Sequence, residues 1–193
     1  MMETGTHLTA TSLRRRTLVG ASLFLLSCLG GCVTVDGTLK ADGSGRLEMT
    51  YQLEPKTTEE AEKKRFSSAH VKVESLVLLD DKTGKAVVTF DDVTKLSTAE
   101  QFKAVEITRT HEGADERLSI KITNPKPVIT KADGRPGPKF TITLPGTVRE
   151  ANHSAKVEES RVIWTFTLAE WVKPPVTELS VRYSPTAKAR DTK

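Results

Sequence analysis

The sequence predicts an α+β domain: a single, mostly antiparallel, curved sheet of about seven to nine strands with two short helices. Three observations carry this. Apolar and polar residues alternate strictly in several stretches, with Leu47, Met49, Tyr51 and Leu53 the clearest. Thr57 and Glu60 have the spacing of a helix capping box. The elements then follow as hairpin, helix, hairpin, helix, hairpin, which is not the alternation of a parallel α/β sheet.

The mature chain begins with a hairpin. Val33, Val35 and Leu39 are extended, Asp42-Gly43-Ser44-Gly45 supplies turn chemistry, and Leu47 to Leu53 run back. Thr57 opens a charged helix to about Ala69, in which Phe66 is the one sizeable apolar residue. Val71, Val73 and Leu76-Val77-Leu78-Leu79 form a strand, Asp80-Asp81-Lys82-Thr83-Gly84 turns, and Ala86 to Phe90 return. Ser97 or Thr98 caps a short second helix carrying Ala99 and Phe102. Val105 and Ile107, then Leu118, Ile120 and Ile122, alternate on either side of the His111 to Asp115 turn. Residues 124–138 hold Pro125, Pro127, Pro136 and Pro138, whose missing amide donors disfavour a ladder, so a long loop or hinge is expected there. Strands resume at Phe140 to Leu144, at Val148, and at Arg161 to Leu168, where Trp164 shares the parity of Val162 and Phe166 and belongs to the core. Val176, Leu179, Val181 and Tyr183 make a last strand, and residues 184–193 read as a disordered polar tail.

The first 31 residues read as an address rather than structure. Arg14-Arg15-Arg16 precede an apolar run of about 13 residues, the size of a signal-peptide core and short of the roughly 20 that span a bilayer. The run closes on Leu29-Gly30-Gly31-Cys32, small residues before a cysteine as in a lipobox. Cys28 competes as the processed residue but sits deeper in the run and lacks the glycine pair. The segment around Arg15-Arg16 also resembles a twin-arginine signal, although triple-basic starts are common on the general secretory route, which is the one expected. Removal of residues 1–31 leaves Cys32 as the single cysteine, so the mature chain has no internal disulfide. Diacylglycerol on the Cys32 sulfur, with further acylation, gives stable attachment because each buried CH₂ contributes about 0.8 kcal/mol. Val33, where inner-membrane lipoproteins often carry Asp, favours the outer membrane in a cell that has two.

Composition narrows the function. Arg14, Arg15 and Arg16 against Glu3 account for +2 of the formal charge of +4, leaving a mixed, nearly neutral mature surface. Nucleic-acid binding needs a concentrated basic footprint and is not expected. His70, His111 and His153 lie far apart and show no metal-ligand spacing, and the common catalytic and cofactor motifs are missing, so neither a catalytic residue, a metal nor a cofactor is expected. Asp80-Asp81 and Asp91-Asp92 sit beside turns, where Asp bonds nearby amides. Trp171 stands outside clear periodicity between Ala169-Glu170 and a Lys-Pro-Pro turn, and is either packed or set at a groove mouth or membrane interface.

Gly31-Cys32-Val33, the Asp42-Gly43-Ser44-Gly45 hairpin, and Leu144-Pro145-Gly146-Thr147-Val148-Arg149-Glu150-Ala151-Asn152 leading to Val162-Ile163-Trp164 together resemble the LppM-like bacterial lipoproteins. The resemblance covers the two ends of the mature region, and it places His153 where glycine is expected. It implies an α+β domain over residues 32–183 and a role in binding lipids or glycolipids of the envelope. The expectation is a lipid-anchored, non-enzymatic binding module in the bacterial cell envelope, with Cys32 lipidated and Trp171 the candidate groove residue. The alternative is a structural or assembly lipoprotein that binds another envelope protein. With no second apolar span, the lipid would be the only membrane attachment.

Overall fold

A computed structural model describes residues 33–124 and 134–186 of the chain. The signal segment, Cys32, most of the proline-rich loop and the end of the tail lie outside the described residues. β1 (Thr34–Leu39) and β2 (Gly45–Gln52) form the first hairpin, with Thr34 opposite Thr50 and Leu39 opposite Gly45. Its turn is held as the sequence predicts. The Asp42 carboxylate accepts from the Ser44 hydroxyl at 2.7 Å and the Ser44 amide at 2.9 Å, and these bonds lower its pKa. Gly43 takes φ 90°, a conformation that side chains resist.

The first helix, α1 (Glu59–Phe66), is capped one residue later than the spacing predicts. Thr58 accepts from the Ala61 amide at 3.2 Å, while the Thr57 hydroxyl is committed to Glu62. Acidic residues fill its first turn and basic ones its last, which suits the helix dipole. β3 (Val71–Leu78) and β4 (Thr83–Phe90) make the second hairpin. The second predicted helix is instead two 3-10 turns, Val93–Thr98 and Glu100–Phe102. Asp92, not Ser97 or Thr98, caps the first of them, accepting from the Thr94 amide at 2.9 Å and its hydroxyl at 2.8 Å.

β5 (Val105–Glu112) and β6 (Asp115–Thr123) follow, then β7 (Pro136–Thr143), β8 (Gly146–Ala151), β9 (Lys156–Glu158) and β10 (Arg161–Thr167). Pro136 and Pro138 therefore belong to a strand, contrary to the expectation of an unladdered segment. They occupy its first residues, where β10 shifts register between Thr165 and Thr167 and before the pairing with β1 starts at Lys139, so their missing amides interrupt little. A helix not foreseen, α2 (Leu168–Val172), opens on a capping box between Thr167 and Glu170. β11 (Val176–Pro185) ends the described chain and runs past the expected boundary at 184, with the Thr186 amide donating to the Pro145 carbonyl.

The α+β class holds, but the eleven strands among the described residues divide between two sheets rather than forming one. The larger has the order β3-β4-β2-β1-β7-β10-β9 and the smaller β5-β6-β11-β8. All pairings are antiparallel except β1 with β7, where Thr34 lies beside Lys139. Every strand but the short β9 turns apolar residues inward, and the two inner faces share one core. Trp164, Tyr183 and Phe66 are its largest fully buried side chains. The outer face of the larger sheet is a charge lattice, in which Arg46 pairs with Glu48 and Glu74, and Lys85 with Glu48.

Candidate functional site

The inner faces of the two sheets do not meet everywhere. Between them lies an apolar cavity of about 100 Å³. β1 and β2 contribute Val35, Gly37, Leu47 and Met49 to one wall. β5 and β6 contribute Val105, Ile107, Leu118, Ile120 and Ile122 to the other. Phe140 and Ile142 of β7 and Phe102 of the second 3-10 turn extend the lining, and Val33 and Trp171 also belong to it. The surface it presents is entirely apolar, although Thr38 and Gln101 belong to the wall. A pocket with such walls offers no partners to water and suits hydrocarbon.

Local sequence shapes the walls. Gly37 sits in mid-strand, and a Cβ there would approach Leu47 Cδ2 to 2.8 Å and Ile142 Cδ1 to 3.0 Å. The glycine thus lets those two side chains close over β1, where any larger residue would push them aside. Trp171 reaches the cavity because α2 turns the chain back across β7. Its ring lies 5.4 Å from Phe140 and 5.6 Å from Phe166, and it is 3% exposed. Asn124 ties the helix end in place, donating its amide to the Trp171 carbonyl at 2.8 Å and to the Pro174 carbonyl at 3.1 Å. Trp171 is thus both packed and cavity-lining. Trp164, by contrast, is wholly buried, as its parity indicates, and is not part of the cavity lining.

The histidines are not brought together in a cleft. His70 meets Asp91 at 3.0 Å on an exposed surface, and His153 donates from Nε2 to the Glu178 carbonyl at 2.8 Å. His111 is 83% exposed and lies 3.7 Å from Glu116. Among the described residues no group of three or more His, Cys, Asp or Glu is placed to hold a metal. Nor is any helix among them long and apolar enough to cross a membrane.

Sequence reasoning did not find Glu116, which lies at the end of the molecule where the β1–β2 and β5–β6 turns meet. It is 6% exposed and accepts from Arg109 Nε and, at 2.6 Å, from the Tyr183 hydroxyl. Arg109 also reaches across to the Ala41 carbonyl at 2.9 Å, linking the two sheets. Burial pushes the Glu116 carboxyl up, but the bonds from Arg109 and Tyr183 outweigh it and the net pKa is lowered. The folded state therefore binds this proton less readily than the unfolded chain. The stabilisation is present above the unfolded pKa and is lost as pH falls through the folded one. Thermal melts from about pH 6 down to about pH 3 should show a steeper loss for the native chain than for Glu116→Gln. Parallel slopes would show that this carboxylate does not govern acid stability.

Comparison with known proteins bears on the fold. A solved structure, the folded domain of LppM from Mycobacterium tuberculosis determined by NMR, superposes with a TM-score of 0.53 at 17% identity. The match covers 80% of this chain and 89% of that one. The fold is that of the LppM folded domain. No family model matches the chain, and no curated protein does. At this identity the likeness to LppM is one of architecture, and the cavity has to be read from the residues that line it.

Proposed function

We propose that this protein is a lipid-anchored envelope lipoprotein that binds, without catalysis, a lipid or glycolipid, with the end of an acyl chain entering between its two sheets. The observation that carries the reading is the cavity between the sheets, whose surface is entirely apolar. An unfilled space of this kind forfeits contacts that a well-packed core would make, and a hydrocarbon guest restores them. The Leu29-Gly30-Gly31-Cys32 sequence supports the anchor, and the LppM-like fold is consistent with an envelope protein. If the cell has two membranes, Val33 favours the outer one.

Two measurements test it. The chain purified from its host membrane and held in gentle detergent is expected to retain lipid in native mass spectrometry. An added acyl chain carrying bromine is expected to quench Trp171, which lines the cavity, more than Trp164, which does not. Ile120→Trp would place an indole in the space. Overpacking of this kind costs about 1–3 kcal/mol, which a cooperative melt will register without loss of the fold. Lipid retention is expected to fall at least tenfold in that variant. Retention unchanged by the filled cavity would reject the site, and a crosslinked envelope protein in place of lipid would favour the assembly role.

A further inference from the structure

The strand pairings gather one end of the molecule around the start of β1. Thr34 lies opposite Thr50 and beside Lys139, Gln52 opposite Thr83, and Leu78 opposite Gly84. The β3–β4 turn, the start of β7 and α2 therefore share the end at which Val33 enters the fold. The Val33 carbonyl accepts from the Lys139 amide at 2.9 Å, and the Leu168 amide donates to Arg135. Four large hydrophobic residues are exposed among the described ones, and three of them are at this end: Val77 at 51%, Leu79 at 56% and Val176 at 46%. The fourth, Val157, lies on β9, an edge strand of the larger sheet, opposite Val162 and away from the start of β1. Exposed Lys82 and Lys173 stand beside the three, with long stems that carry an ammonium to headgroup level while the apolar part stays below.

The start of β1 decides what covers this end. Thr34 is already in the sheet, so only Val33 separates Cys32 from the folded domain. One residue of chain reaches at most about 3.6 Å, which leaves no spacer between a lipidated cysteine and the domain. Resting on the lipoprotein reading above, we propose that the domain docks on the bilayer by this end, with Val77, Leu79 and Val176 in the interface and the cavity's Val33 and Trp171 turned toward the membrane. Lipid would then pass between bilayer and cavity without crossing water. Asp80 and Asp81 share the turn with Lys82, so the contact is led by apolar burial and is expected to survive about 0.5 M salt, where the Debye length falls below roughly 5 Å.

The test uses the lipidated chain purified from its host and reconstituted in phosphatidylcholine vesicles containing one third phosphatidylglycerol and a bromine-labelled lipid. With Cys32 acylated no other thiol remains, so Lys82→Cys, Lys173→Cys and Ala114→Cys each take one fluorophore. The first two are expected to be quenched several-fold more than Ala114, which sits in the β5–β6 turn at the opposite end. Adding Leu79→Asp and Val176→Asp is expected to abolish the difference, while circular dichroism and vesicle retention stay unchanged. Equal quenching at all three labels overturns the docking and leaves the anchor standing. A bare thiol at Cys32 by intact mass overturns the anchor instead. Co-sedimentation of that unlipidated material with vesicles then decides the docking, and its staying in the supernatant rejects it.

Discussion

Trp164→Ala is expected to cost about 3–5 kcal/mol in urea unfolding, a large share of the roughly 5–15 kcal/mol that holds a domain folded. Two losses combine. Trp164 is fully buried, so truncation opens a cavity that the sheet has no means of closing. Its Nε1 also donates to the Asn152 carbonyl at 3.0 Å and to the Asn152 side-chain oxygen at 3.2 Å. Asn152 is in turn spent on β11, accepting from the Ser180 amide at 2.9 Å and donating to the Glu178 carbonyl at 2.7 Å. The indole thus fastens β10 in the larger sheet to the turn after β8 and to β11 in the smaller one. Trp164→Phe keeps most of the volume and isolates the hydrogen bond, so a loss of about 1–2 kcal/mol is expected. If Trp164→Phe were as damaging as Trp164→Ala, the bond rather than the volume would dominate.

That clamp shows what was legible in the sequence and what was not. Alternation at Val162, Trp164 and Phe166 was enough to assign the strand and its buried face. It carried no information about the indole nitrogen's partner, because Asn152 lies across a turn and its surroundings are set by β11. The resemblance to LppM-like lipoproteins expects glycine at position 153. The structure supplies the reason: His153 has φ 55° and Ser154 φ 50°, the left-handed region. His153 is held there by its bond to the Glu178 carbonyl and by Phe166, whose ring lies 5.7 Å away.

The division into two sheets was not legible for a related reason. Alternation fixes which face of a strand is buried, but not which sheet the strand joins. The pairing of β1 with β7 joins segments about a hundred residues apart in parallel, and no local signal announces it. β9 is three exposed residues and has no apolar pattern to find. The cavity was not legible either, because its walls come from strands of both sheets and a gap between them has no signature in the alternation of any one strand. Trp171 stood out because it broke the periodicity, and the Thr167–Glu170 capping box that explains the break is visible in the sequence in hindsight.

Glu62→Ala is expected to cost about 3–5 kcal/mol, as much as loss of the tryptophan and for the opposite physical reason. α1 is a poor amphipathic helix, with Glu62 and Phe66, one turn apart, as its buried residues. Phe66 packs on Tyr51 at 5.2 Å and Phe102 at 5.7 Å, and Glu62 must follow it inward. There the carboxylate is fully buried and accepts from Tyr51 at 2.9 Å, Thr57 at 3.1 Å and Arg65 at 2.7 Å. The Tyr51 phenol is pushed well above its ordinary pKa, first by burial and then by the adjacent carboxylate, so it remains the donor throughout the neutral range. Removing Glu62 alone takes the carboxylate from Arg65, 19% exposed, whose bond to the neutral Gln101 side chain at 2.7 Å does not replace it, and leaves the Tyr51 hydroxyl without its acceptor. Replacing both ionic partners should then recover much of the loss, because a well-packed apolar pair avoids the desolvation that the ion pair has to offset. Chemical denaturation of Glu62→Ala, Glu62→Leu and the double variant Glu62→Leu/Arg65→Met checks this. A double variant as unstable as Glu62→Ala would show that the carboxylate is needed for its bonds to Tyr51 and Thr57 rather than to neutralise the arginine.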